Sequence, residues 1–194
     1  MLRRTPSLFK PFPILETDRL ILRRLQQTDL RDVFEYASNE NISRQVLWDA
    51  HQSLRESQRF LDYTFERYRR GEMAPFAIEH KTDRKMIGTI DFAWWERGNG
   101  TVEIGFALSE KYWGLGLIPE AARAMHQFAF EKMGVIRIEA RCFAENSQSI
   151  RVLEKMGMTY EGTLRQRLLV KGERRNVHMY SILHQEWKQQ EQIY

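Results

Sequence analysis

The stretch Phe106-Ala107-Leu108-Ser109-Glu110-Lys111-Tyr112-Trp113-Gly114-Leu115-Gly116-Leu117-Ile118-Pro119-Glu120-Ala121 decides the fold. It reads as a strand end, a turn punctuated by two glycines and the start of a helix. Gly114 and Gly116 lack a Cβ, so the backbone there can take unusual torsions and come close to a ligand. Pro119 suits a first helical turn, where a missing N–H costs nothing. Apolar residues at helical spacing continue through Ala122, Met125, Phe128 and Ala129. From these residues alone the stretch has two readings: an ordinary strand-to-helix loop, or a phosphate cradle made of unpaired N–H groups at a helix start.

Working outward toward the N-terminus, Thr101–Leu108 is a strand, preceded by a turn at Arg97-Gly98-Asn99-Gly100. Met86–Phe92 and Pro75–Glu79 are strands joined at Lys81–Arg84, which makes an antiparallel meander. Before the meander, Ser53 opens a helix that ends at Gly71. Thr28 or Asp29 caps another to about Ala37. Arg19–Leu25 is the first strand, and residues 1–14 form an extended arm. Toward the C-terminus the helix runs to Met133, and Gly134 closes it. Val135–Phe143 is a strand, Asn146 caps a helix over Ser149–Met156, and strands over Thr159–Val170 and Asn176–Leu183 join at Lys171-Gly172. The end of the chain is polar, with a tail at 188–194. No repeat or linker interrupts it, so residues 15–187 read as one domain.

The composition narrows the class. The chain has 194 residues, 42% hydrophobic and 29% charged, with a net charge of +4. These values suit one globular domain with a mild preference for anionic ligands. No apolar run approaches a membrane span and no signal-peptide segment opens the chain. With the lone Cys142 this gives a cytoplasmic expectation. The five histidines are scattered without metal-ligand spacing, so no metal is expected. No nucleotide P-loop or serine-hydrolase elbow is present. Nor is there an aromatic–basic motif of the usual RNA-binding kinds.

Two motifs together resemble the GCN5-related N-acetyltransferase (GNAT) family. Lys111-Tyr112-Trp113-Gly114-Leu115-Gly116 is similar to its Q/R-x-x-G-x-G/A turn, with Lys in the first position. Glu145-Asn146-Ser147-Gln148-Ser149 and Glu154-Lys155-Met156-Gly157-Met158 are similar to its N-x-x-S helix and E-K-x-G-F ending. Glu16–Arg23, reading E-T-D-R-L-I-L-R, and Glu161–Arg165 further resemble the RimJ/RimL type of ribosomal-protein N-terminal acetyltransferases. The resemblance runs from about Glu16 to Trp187 and implies an α/β fold: a mixed, strongly twisted sheet of six to seven strands with helices on both faces. It implies acetyl-CoA as donor and a primary amine as acceptor, a ribosomal-protein N-terminus first among them, with a small amine or amine antibiotic as the alternative. A non-catalytic acyl-CoA-binding module and a basic ribosome- or RNA-associated protein are the competing classes. A homodimer is a further expectation.

The resemblance also assigns residues. Phe106, Ala107 and Leu108 would pair with the pantetheine arm, a strand N–H near Ala107 or Leu108 polarising the thioester. Gly114, Leu115, Gly116, Leu117 and Ile118 would hold the pyrophosphate, with Lys111 in the motif's first position. Glu120 would repel a phosphate, so its side chain should point away. Asn146 is an N-cap, a cofactor contact, or both. Ser149 is a first-turn residue or a donor to the leaving thiolate. Arg151 and Lys155 form a solvated face or meet the 3′-phosphate. Trp94 and Trp95 fall on opposite faces if the strand persists, which makes one of them a candidate for an acceptor pocket, and Cys142 reads as core. Many relatives have Asp where Asn176 stands. Alternation in Thr101–Phe106 puts Glu103 on one face with Gly105 and Ala107, where it is a surface glutamate or the general base.

Overall fold

A computed structural model describes residues 7–191 of the chain. One sheet holds eight strands: β1 (Leu15–Glu16), β2 (Leu20–Arg24), β3 (Phe76–His80), β4 (Lys85–Glu96), β5 (Thr101–Leu108), β6 (Arg137–Phe143), β7 (Thr159–Val170) and β8 (Glu173–Leu183). Their order is β1-β2-β3-β4-β5-β6-β8-β7. Every neighbouring pair is antiparallel except β5 and β6, which run parallel. The expected six to seven strands become eight because Leu15 and Glu16 pair with Leu22 and Ile21. The helices are α1 (Leu30–Ala37), α2 (Glu40–Ser43), α3 (Leu54–Arg70), α4 (Leu117–Phe128), α5 (Ser147–Lys155) and α6 (His184–Glu191).

Local signals explain the element ends. Ser53 is extended ahead of α3, and Gly71 stops it at φ +68, a torsion that a side chain disfavours. On α3, Ser57, Leu61, Thr64 and Tyr68 recur three or four residues apart and are buried. The Tyr68 hydroxyl donates to the Pro75 carbonyl and accepts from the Leu25 amide, tying α3 to the strands beside it. Helix α4 buries Leu117, Ala121, Ala122, Met125 and Phe128, then widens into a π turn over Ala129–Met133 before Gly134 ends it. Phe92 of β4 stacks against Phe128 of α4, with ring centroids 6.3 Å apart. Its neighbour Asp91 faces Tyr36 of α1 and Arg67 of α3. Successive strand residues alternate faces, so α4 covers one face of the sheet and α1 with α3 the other.

Phe9 and Phe12 lie in the core, which anchors the described part of the N-terminal arm; its first six residues lie outside the described ones. Strand β4 persists to Glu96, well past the expected end at Phe92, and a register shift falls between Phe92 and Trp94. Trp94 and Trp95 then stand opposite Glu103 and Val102. Trp187 of α6 is buried against Phe130, their centroids 5.3 Å apart, so the polar tail carries one anchoring ring. No helix among the described residues is long and apolar enough to cross a membrane.

Candidate active site

The site begins where two strands part. β5 and β6 pair only at Thr101–Arg137, Val102–Ile138 and Glu103–Glu139. Beyond Glu103, β5 stays paired with β4 as far as Leu108, and β6 stays paired with β8 as far as Phe143. A wedge therefore opens between Ile104–Leu108 and Ala140–Phe143. The amide of Ser109 donates to Ile87 on the β4 side at 2.7 Å. Backbone groups alternate sides along a strand, so those of Leu108 and Phe106 point into the wedge. The Leu108 carbonyl accepts from the Trp113 indole at 2.9 Å, which leaves the Leu108 N–H and both groups of Phe106 along the open edge.

A cleft of about 380 Å³ occupies this wedge and the turn below it, a volume within the usual range for small-molecule sites. Of the sequence-assigned residues, Phe106, Ala107, Leu108, Gly114, Gly116, Leu117, Ile118, Asn146, Ser149 and Arg151 all line it. Gly114 (φ +78) and Gly116 (φ +74) have left-handed backbones, and no atom lies within 4 Å of where a Cβ on Gly114 would stand. A glycine pair with open space above it, leading into the unpaired N–H groups of Leu117 and Ile118, suits a pyrophosphate. Glu120 is turned away: its carboxylate accepts from the Thr17 hydroxyl, from the Arg19 amide at 2.9 Å and from Arg19 Nε at 2.6 Å.

Three assigned residues are not brought into the cleft lining. Leu115 is exposed, and its carbonyl accepts from Arg19 Nη1 at 3.0 Å. Lys111 points to α1 and pairs with Glu35 at 2.9 Å. Glu103 is buried on the α1–α3 face of β5, where Arg141 approaches it at 2.7 Å and the Trp94 indole donates to it. Across the wedge, the Asn146 side-chain oxygen Oδ1 caps α5 by accepting from the Ser149 backbone amide at 3.0 Å. Its side-chain Nδ2 donates to Ser149 Oγ at 2.8 Å. The hydroxyl of Ser149, already an acceptor, keeps its own proton to donate. Cys142 is buried, and burial pushes its thiol up to about 11, so it is inert as a nucleophile. Asn176 has its side-chain oxygen occupied by the Gln166 amide at 2.8 Å.

Sequence reasoning missed the far wall. Ile42, Gln45 and Val46, in and after α2, line the cleft. Glu110 holds this corner by accepting from Asn39 and Asn41 at 2.7 and 3.1 Å, and Lys171 of the β7–β8 turn donates to the Ser43 carbonyl at 2.6 Å.

A parallel pair that splays beside a glycine turn at a helix start has room for an extended arm ending in phosphates. The acetyltransferase (GNAT) domain family matches residues 19–159, and the chain belongs to that family. It is an acetyl-CoA-dependent N-acetyltransferase. It is 31% identical over 172 residues to the uncharacterized N-acetyltransferase YoaA of Bacillus subtilis (strain 168), covering 89% of this chain and 97% of that protein. It is 25% identical over 178 residues to the ribosomal protein uS5-alanine N-acetyltransferase of Escherichia coli (strain K12), covering 89% and 92%. Among solved structures it is similar to a GNAT-family acetyltransferase from Bacillus anthracis, with a TM-score of 0.80, 27% identity and coverage of 89% and 99%.

Proposed function

We propose that this acetyltransferase acts on protein N-terminal α-amines, of the kind found on ribosomal proteins, by direct attack within a ternary complex. Similarity across nearly the whole chain to the uS5-alanine enzyme supports the acceptor class. The splayed β5 edge beside the glycine turn is the observation that carries the chemistry. Acetyl-CoA supplies an activated thioester. Phe106 and Leu108 bind its arm through backbone groups, and the N–H groups around Gly114–Ile118 take the phosphates. The Leu108 N–H, pointing into the wedge, is placed to donate to the thioester carbonyl oxygen. Ser149 donates to the departing sulfur, held in line by Asn146. Arg151 and Lys155, both on the cleft rim, meet the 3′-phosphate. Lys111 acts through the loop it ties to Glu35. Glu103, with both oxygens engaged by Arg141 and Trp94, orients β5 rather than taking a proton.

A thiol-release assay with acetyl-CoA across a panel of N-terminal peptides and small amines tests the reading. Peptides with a free α-amine should accelerate release and N-blocked ones should not. Faster release with polyamines or amine antibiotics than with any peptide would overturn the acceptor class.

A further inference from the structure

Beside Glu103 on the α1–α3 face stands a second carboxylate, Asp91 of β4. It lies opposite Gly105, on the same face as Glu103 and Ala107. It makes no hydrogen bond among the described residues. A Cβ added to Gly105 would come within 3.1 Å of Asp91 Oδ1, so the carboxyl leans over the β5 backbone through room that the glycine leaves. Ala107, the next residue of β5 on that face, lines the cleft and is about 6.6 Å further along the strand. Asp91 is half-buried rather than fully enclosed.

We propose that Asp91, and not Glu103, is the carboxylate that receives the ammonium of the acceptor beside the β5–β6 wedge and takes its proton. This rests on the acceptor being a primary amine, as argued above. Three groups face Asp91: Tyr36 from α1, Arg67 from α3 and Glu103 from β5. Glu103 is neutralised by Arg141. Arg67 acts by charge, and its own nearest carboxylate is Glu72 at 3.8 Å. Burial outweighs the attraction of Arg67 and pushes the Asp91 carboxyl up to about 6. The group is thus ionised near neutrality yet a far better base than an ordinary aspartate, and Glu103 lacks a free oxygen for the task. Two carboxylates in one patch with different environments divide structural and proton-taking roles in this way.

The ammonium gives one proton to the Asp91 carboxylate, and the freed lone pair forms the C–N bond to the acetyl carbon. The C–S bond breaks, sulfur leaves with its electron pair, and the second nitrogen proton passes to sulfur by way of Ser149. Asp91 returns its proton to solvent as the amide leaves.

The test is kcat/KM for the best N-terminal peptide against pH, comparing the parent with Asp91→Asn. We expect a loss of about 10²-fold near pH 7, at the low end for a general base. The limb near pH 6 should disappear, leaving only that of the peptide's own amine, while acetyl-CoA affinity by calorimetry is unchanged. Activity within about threefold of the parent, or a retained limb, overturns the proposal. Gly105→Ala is the second variant, because its methyl would stand 3.1 Å from Asp91 Oδ1 and press the carboxyl aside by a few tenths of an ångström. It should lower kcat about tenfold or more without raising the KM for acetyl-CoA, and should add nothing to Asp91→Asn. If Asp91→Asn does not fold, full activity of Gly105→Ala overturns the proposal instead. Failure of the acceptor reading shows separately, as a parent enzyme that no peptide stimulates.

Discussion

The two sides of the cleft are made of different material. On the side of the glycine turn the working groups are backbone: the open edge at Phe106 and Leu108 and the N–H groups that follow Gly116. On the α1–α3 face they are side chains, Asp91, Glu103, Trp94 and Arg141, drawn from three strands. A backbone site depends on torsion and empty space and tolerates many side chains. A side-chain site depends on register, and moving one carboxylate by one position removes it from the face. The glycine side should therefore break through shape and the other through charge.

The largest effect expected on the glycine side is Gly116→Trp. Its φ of +74 costs an L-residue about 1–2 kcal/mol, and the ring would fill the cleft that the glycine lines. Acetyl-CoA affinity by calorimetry should fall by on the order of 10²-fold or more, roughly 3 kcal/mol, while circular dichroism stays native. Unchanged affinity would remove the turn from the site.

On the other face the largest effect should be on stability. Glu103→Gln leaves Arg141 without its carboxylate in a mostly buried pair, with side-chain exposures of 29% and 11%. A cost of about 3 kcal/mol is expected in urea unfolding, with kcat/KM near pH 6.5 within about threefold of the parent where both are folded. A turnover loss of about 10²-fold with stability intact would restore Glu103 as the base and dissolve the contrast between the two carboxylates.

Asp91→Asn should move stability the other way. The carboxyl titrates at about 6 in the fold against 3.8 ordinarily, because burial disfavours its charge. Between those values Asp91 binds more proton in the native state than in the unfolded one, so its own contribution to stability falls as pH rises through that window. The difference amounts to at most about 3 kcal/mol at pH 7, at 1.36 kcal/mol per unit. Asp91→Asn should abolish this slope and unfold about 2–6 °C higher at pH 7. A parent whose stability rises between pH 4 and 6, with the variant running parallel, would show that Asp91 is not a destabilised carboxylate. Gain in stability with loss of turnover is the pattern of a group kept for function.

The contrast also separates what was legible in the sequence from what was not. The bounds of β5 and of α3 follow from alternation and from Gly71 as a stop, and the glycine turn announces itself by residue type. The cleft lining from Phe106 to Ile118 could be read because it is continuous in sequence. Asp91 could not. Counting back from the Arg97–Gly100 turn, where Glu96 pairs with Thr101, puts Phe92 opposite Gly105 and Asp91 on the far face. The register shift at Ala93 moves the count by one and brings Asp91 round beside Glu103. Nothing in Ala93 marks a bulge. Helix α2 was also missed: four residues give too little periodicity, yet the corner it starts walls the cleft with Ile42, Gln45 and Val46.

The smallest effect concerns Glu120, the one side chain that sets conditions on the glycine side. A carboxylate in the first turn of α4 suits the helix dipole but opposes a phosphate bound at the same end. Burial alone would raise its pKa, but hydrogen bonds from Thr17 and Arg19 take it below its ordinary value, so it stays charged. Arg19 neutralises that charge and, through Nη1, also holds the Leu115 carbonyl between the two glycines. Removing Arg19 should therefore weaken the cradle twice, by leaving Glu120 unscreened and by loosening the turn. The Arg19 side chain is 47% exposed, which limits the effect to that of a surface pair, at most about 1 kcal/mol. Arg19→Ala should raise the KM for acetyl-CoA about two- to fivefold with kcat unchanged, and the difference should shrink at high salt. Glu120→Gln in the Arg19→Ala background should recover the part of the loss that comes from the unscreened charge, because it removes the charge Arg19 was masking. A change in kcat at constant KM, or no recovery in the double variant, would mean that Arg19 acts on the fold and not on the phosphates.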